Sequence, residues 1–66
     1  MKRALEMAIE YQISCPKWTL YVSVDSLTNE ILDAAPLARK FLGQKLSALI
    51  SWCERFGEVR VFVLDE

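Results

Sequence analysis

The stretch from Pro36 to Phe56 (PLARKFLGQKLSALISWCERF) constrains the fold most, because it carries helix signals at both ends. Pro36 suits a first helical position, where its missing N–H costs nothing and its φ is already helical. Gly57 is well suited to the position just after a helix, where many helices end with a residue in the left-handed conformation. The residues between are mostly good helix formers, with Gly43 as the exception. We therefore predict one long helix over residues 36–56.

This helix would carry an apolar arc about twice as wide as a surface helix needs. One apolar stripe consists of Leu42, Leu46, Leu49, Cys53 and Phe56. A second stripe beside it consists of Leu37, Phe41, Ala48 and Trp52. Either the helix is enclosed within its own fold, or the second stripe contacts another molecule. We favour the second interpretation, with two basic residues as a polar rim, so the interface candidates are Leu37, Phe41, Lys45, Trp52 and Arg55.

Two further segments have the pattern of β-strands. Residues 18–25 (WTLYVSVD) alternate between an apolar face and a mixed face, which is typical of a sheet covered on one side. Residues 59–65 (VRVFVLD) are largely apolar on both faces, so we expect this second strand to be the more central one.

The remaining segments are less sharply defined. Residues 2–12 have the composition and spacing of a short amphipathic helix. However, Tyr11, Ile13 and Cys15 alternate with polar residues, so the end of this segment could instead be a strand, and Pro16 ends it in either case. Residues 26–35 read as a connection with a short helical turn near residues 30–32. A single helix kinked at Pro36 is the alternative.

The order helix–strand–long helix–strand predicts an α/β fold, small and α+β-like, built on a right-handed βαβ unit with parallel strands. All 66 residues are expected to form a single small domain. A two-stranded sheet covered on one face is not stable alone, and its open edges invite pairing with another chain. We therefore predict a symmetric homodimer that completes the fold, either by joining the two sheets or by packing helix against helix.

Composition and charge argue against several classes of function. The net charge is −1, and the 8 basic side chains are dispersed, so the basic patch of a nucleic-acid-binding protein is not expected. No apolar run approaches the roughly 18 residues of a membrane span. The basic start Met1-Lys2-Arg3 is followed by a stretch interrupted by Glu6 and Glu10, which does not fit a signal peptide. We expect a cytoplasmic protein that binds neither membranes nor nucleic acid.

The residues needed for common catalytic sites are scarce. The chain has no His, which excludes a Ser-His-Asp or Cys-His arrangement within it, and no Gly-rich phosphate loop. Cys15 and Cys53 are too few for a disulfide scaffold and have no zinc-site spacing. We interpret them as reduced thiols, with a Cys15–Cys53 bridge as the alternative in an oxidising compartment. No catalytic residue, metal site or cofactor is predicted.

One weak ligand site is conceivable at the carboxyl end of the first strand, where open α/β sheets tend to bind ligands. Its candidates are Ser23, Asp25 and Ser26. The interpretation that we favour is that these residues form the turn after the strand.

The function that fits these features best is a small protein-interaction or regulatory module. It would act by protein contact as a homodimer, with another protein as the alternative partner, and would have no catalysis of its own. The alternatives are a structural subunit, a fragment of a larger α/β enzyme, or a small-ligand binder at the carboxyl end of the first strand.

Overall fold

The computed structural model describes residues 8–64, which form a small α+β fold with a four-stranded antiparallel sheet and two helices. The strands are β1 (Ala8–Ser14), β2 (Thr19–Asp25), β3 (Ile31–Ala34) and β4 (Arg60–Val63), in the spatial order β3-β2-β1-β4. A 3-10 helix (Pro36–Phe41) and helix α1 (Leu46–Glu54) connect β3 to β4.

One face of the sheet carries the core. Ile13 of β1 lies opposite Leu20 of β2 and, on its other side, opposite Val61 of β4. Because directly opposed residues point to the same side of a sheet, these rows place a continuous apolar surface against the helices. The fully enclosed residues come from the sheet and from both helices: Ile13, Leu20, Val22, Val24, Ile31, Ala38, Phe41, Leu49 and Cys53. The prediction that the sheet is covered on one face is confirmed for β2.

The predicted amino-terminal helix is wrong where the structure describes it. Residues 8–14 form β1, which pairs along its whole length with β2, from Ala8 opposite Asp25 to Ser14 opposite Thr19. The alternation at Tyr11 and Ile13 was the correct signal. Pairing of this segment in the middle of the sheet outweighs the helix propensity of its Ala and Glu residues. Residues 2–7 of the predicted helix lie outside the described residues.

The predicted βαβ unit with a two-stranded parallel sheet is also wrong. The last strand pairs antiparallel with β1, from Tyr11 opposite Val63 to Ser14 opposite Arg60. Since β1 was predicted as a helix, the strand that separates β2 from β4 was missing from the prediction. Strand β4 is therefore at an edge of the sheet rather than at its centre.

The predicted connection over residues 26–35 contains a strand, β3, instead of a helical turn. Asp25 Oδ1 accepts a hydrogen bond from the Leu27 N–H at 2.8 Å, which closes a tight turn after β2. Asn29 continues this turn with a positive φ of 65°. The chain then returns as β3, in which Ile31 is buried opposite Val24.

The predicted long helix is divided into two. The 3-10 helix ends at Phe41, Gly43 adopts a φ of +84°, and α1 begins only at Leu46. Between the helices, the Gly43 N–H donates to the Ile31 carbonyl at 2.9 Å, and the Ile31 N–H donates to the Gln44 carbonyl at 2.8 Å. The break thus turns the chain back along β3. No helix in residues 8–64 has the length and apolar character needed to cross a membrane.

Candidate interaction surfaces

Four aromatic rings pack together where the helical layer meets the β1–β2 turn. Trp18 stacks on Trp52 with ring centroids 5.4 Å apart and planes at 14°. Phe41 and Phe56 each lie 5.4 Å from the Trp52 ring, and Phe56 lies 5.1 Å from Trp18. Lys40 Nζ is 4.5 Å from the centroid of Trp52, a cation–π distance. The rings of this aromatic cluster therefore pack against one another within the fold of a single chain.

The five interface candidates from the sequence do not share one environment. Phe41 is only 8% exposed and belongs to the core, and Trp52 is half-buried in the aromatic cluster. Lys45 donates from Nζ to the Thr28 carbonyl at 2.7 Å. Leu37 and Arg55 are exposed. An interface on the helical layer remains a prediction, and it would depend mainly on Leu37.

A second apolar surface lies at β4, whose four residues are all exposed. The exposed fractions are 40% for Val61, 47% for Phe62 and 63% for Val63. Val61 and Val63 lie on the covered side of the sheet, opposite Ile13 and Tyr11 of β1. On the open side, Phe62 lies opposite Gln12. Three successive large apolar side chains on an edge strand are unusual, because natural edge strands usually carry charges or proline.

The hydrogen-bond pattern shows which backbone groups of β4 face outward. The Leu64 N–H donates to the Glu10 carbonyl at 2.8 Å, and the register places these two residues opposite each other. Because hydrogen-bonded and non-hydrogen-bonded pairs alternate in an antiparallel ladder, Phe62 and Leu64 direct their backbone groups toward β1. Val61 and Val63 direct theirs away from the sheet. Within residues 8–64, β4 pairs with β1 alone.

The opposite edge of the sheet, at β3, is protected by the chain itself. Residues 43–45 run alongside its beginning, with the Ile31 hydrogen bonds described above and a bridge between Glu30 and Lys45. The register of β3 also shifts between Ser23 and Val24 of its neighbour, which interrupts the ladder. Both devices discourage pairing with another chain. As far as residues 8–64 show, the sheet is thus open to strand addition at β4.

The three weak ligand-site candidates, Ser23, Asp25 and Ser26, do not lie in one site. Ser23 lines a shallow depression of about 330 Å³ on the open face of the sheet, together with Glu10, Tyr21 and Asp33. Asp25 accepts backbone hydrogen bonds within the turn, and Ser26 belongs to that turn. Neither Asp25 nor Ser26 lines the depression. The geometry thus matches the turn interpretation for those two residues.

The two thiols are neighbours. Cys53 is fully buried, whereas Cys15 is half-buried, and neither forms a disulfide. Burial raises the pKa of the Cys53 thiol above its ordinary 9.0, and the adjacent Cys15 thiol raises it further. The Trp18 indole N–H is buried without a well-aligned acceptor, and its proximity to the Cys53 sulfur acts in the opposite direction on this pKa.

Sequence reasoning missed the β4 edge, whereas it named the proximity of Cys15 and Cys53 only as an alternative. Its conclusion that residues 59–65 are apolar on both faces was sound, but it assigned them a central position. The alternation in Tyr11 and Ile13 was the signal that would have placed a strand between β2 and β4. Residues 8–64 contain no group of three or more Cys, Asp and Glu side chains arranged to hold a metal ion.

Comparison with protein-family models, with curated proteins and with solved structures gave no significant match. The functional argument therefore depends on the surfaces of the molecule itself. The fold of a single chain does not explain why the open edge at β4 carries exposed apolar side chains.

Proposed function

We propose that this chain is a small cytoplasmic protein-interaction or regulatory module that acts as a homodimer and has no catalytic activity of its own. The observation that carries the proposal is the exposed apolar edge at β4, with the outward backbone groups of Val61 and Val63. The two cysteines without a disulfide fit a reducing compartment.

The partner that β4 fits is a second copy of itself. An antiparallel pairing about a two-fold axis at Phe62 places Val61 of one copy opposite Val63 of the other. Both residues point their N–H and C=O groups outward, so each of these pairs can exchange two hydrogen bonds. The same axis brings the two Phe62 side chains together on the open face. The strand is therefore self-complementary in hydrogen bonding and in apolar surface, as a two-fold interface requires.

The dimer is expected to be weak. A pairing of four-residue strands covers less than the roughly 800 Å² per partner that a standard interface buries. Burying one Phe side chain contributes about 1.5–3 kcal/mol. We therefore expect a dissociation constant in the micromolar range or above. This corresponds to a binding free energy of about −8 kcal/mol or one that is less favourable.

The test is the mass in solution of wild type and Val63→Lys, by sedimentation equilibrium from about 5 to 500 μM, a range that brackets this affinity. Lysine at position 63 leaves the monomer intact, because the side chain is largely exposed, but places a charge in each copy of the paired edge. The matched control is Leu27→Lys, which adds the same charge at an apolar residue that is 78% exposed in the β2–β3 turn. We expect dimers for wild type and Leu27→Lys and a monomer for Val63→Lys.

Amide hydrogen exchange measured by NMR gives an independent readout. Dimerisation should slow exchange at the outward N–H groups of Val61 and Val63 as concentration rises. Exchange at Phe62 should change little, because its N–H already faces β1. A monomeric wild type over the whole range would overturn the homodimer. A dimer that survives Val63→Lys but is lost in Leu37→Lys would move the interface to the helical layer and overturn the edge pairing.

A further inference from the structure

The β1–β2 turn is packed tightly against the end of helix α1, and each of these segments carries one cysteine. Pro16 follows Cys15 and lies so close to Gly57 that a Cβ added at Gly57 would be 2.7 Å from the Pro16 Cγ. On the other side of the turn, Trp18 stacks on Trp52 of α1. The backbone of the turn is closed by a 3.0 Å hydrogen bond from the Cys15 N–H to the Trp18 carbonyl.

This packing brings the segments that carry the two cysteines into contact. Pro16, next to Cys15, lies against Gly57, and Trp52, next to Cys53, stacks on Trp18. Cys15 itself packs against the core cluster to which Cys53 belongs. As a close neighbour, the Cys15 thiol also raises the pKa of the Cys53 thiol. Their accessibility differs, because Cys15 is partly open to solvent whereas Cys53 is not. An accessible thiol beside a buried one is the arrangement in which the first reacts with a small disulfide and the second resolves the product.

We propose that Cys15 and Cys53 are a redox-active pair that forms a reversible disulfide within one chain by exchange with a low-molecular-weight disulfide of the glutathione class. The Cys15 thiolate attacks one sulfur of the small disulfide, forms a mixed disulfide and releases one small thiolate. The Cys53 thiolate then attacks the Cys15 sulfur, breaks the mixed disulfide and releases the second small thiolate. The two protons from the cysteines end on the two small thiols, so the protein is oxidised by two electrons and the small disulfide is reduced by two.

The bond would link the β1–β2 turn covalently to the last turn of α1. It would thereby close a loop from residue 15 to residue 53 and restrict the unfolded chain. We expect the melting temperature of the oxidised protein to rise by at least about 5 °C, and the rise to disappear on treatment with dithiothreitol.

The experiment incubates the reduced full-length protein with oxidised glutathione and follows the product by intact mass and tryptic mapping. Wild type should lose two hydrogens, carry no glutathione at completion and yield a linked pair of peptides, residues 4–17 with residues 46–55. Cys53→Ala should stop at one glutathione adduct on Cys15. Cys15→Ala should remain unmodified, because Cys53 is buried.

Several results would overturn the proposal. A wild-type product with stable glutathione adducts, an unmodified wild type, or a disulfide between two chains on a non-reducing gel would each do so. The wild-type peptide map decides the question even where a cysteine variant fails to fold. A second variant, Val63→Lys, should form the same linked peptides at the same rate, which separates this chemistry from dimerisation.

Discussion

Replacing Gly57 with alanine tests how closely the β1–β2 turn packs on the end of helix α1. Gly57 has a φ of +132°, a conformation that residues with a side chain rarely adopt. A Cβ at this position would lie 2.7 Å from Cγ and 3.3 Å from Cδ of Pro16. The obstacle is a proline ring, which cannot swing aside as a flexible side chain could. The substitution therefore strains the backbone and separates the turn from the helix.

The two costs can be estimated separately. A backbone in a sparsely populated region costs about 1–3 kcal/mol, and forcing a methyl group into a packed site costs about 1–3 kcal/mol more. Gly57→Ala should therefore lower the free energy of unfolding by about 2–6 kcal/mol. Gly43→Ala is the matched control, because Gly43 has a φ of +84° but no atom within 4 Å of the added Cβ. It should cost about 1–2 kcal/mol from the backbone alone.

The assay is urea unfolding at one protein concentration, followed by tryptophan fluorescence from Trp18 and Trp52. A chain of this length has only roughly 3–10 kcal/mol of stability, so all variants are compared in the same stabilising osmolyte. Pro16→Ala removes the ring, and a double-mutant cycle with Gly57→Ala should recover about 1–2 kcal/mol. If Gly57→Ala costs no more than Gly43→Ala, or if Pro16→Ala recovers nothing, the inferred contact is wrong.

Two further predictions concern the core. Leu49→Ala should lower the free energy of unfolding by about 2–5 kcal/mol, because Leu49 is fully buried between helix and sheet, whereas Leu27→Ala in an exposed turn should change it by less than about 0.5 kcal/mol. Urea midpoints that fall equally for both would contradict this core. Burial raises the pKa of the Cys53 thiol in the folded protein, so this thiol loses its proton at a lower pH in the unfolded chain. The free energy of unfolding is therefore retained below pH 9.0 and falls above it, by at most about 1.4 kcal/mol per pH unit. Cys53→Ala should remove this loss of unfolding free energy above pH 9.0 in a series of urea unfolding curves. An unchanged dependence of the unfolding free energy on pH in the variant would contradict the prediction.

The strand β2 and most of β4 could be predicted from the sequence because their side chains decide their conformation locally. Leu20, Val22 and Val24 alternate with polar residues, and this pattern fits only a strand with one covered face. The start of the helical region was equally local, since Pro36 and the absence of β-branched residues from positions 37–49 favour helical geometry. In these segments, propensity and tertiary packing agree.

The errors arose where distant residues decide the structure. Residues 8–14 contain good helix formers, but β2 and β4 pair with them from both sides, and this pairing cannot be read from local composition. The helix break has the same origin. Gly43 permits the break, but the hydrogen bonds between Ile31 and residues 43–44 make it favourable. The proximity of Cys15 and Cys53, which the sequence left as an alternative, likewise depends on the turn and the helix end meeting in space.

The composition of β4 and its position in a single chain disagree, and the proposed dimer reconciles them. A strand that is apolar on both faces is typical of the interior of a sheet. In one chain, however, β4 forms the edge, and only Arg60 provides a charge within it. An edge of this kind favours pairing with any exposed strand, and β3 shows that this fold has other means of protecting an edge. Pairing with β4 of a second copy would make both strands interior to one continuous sheet. Position and composition would then agree, and no further feature of the chain would be needed to explain Val61, Phe62 and Val63.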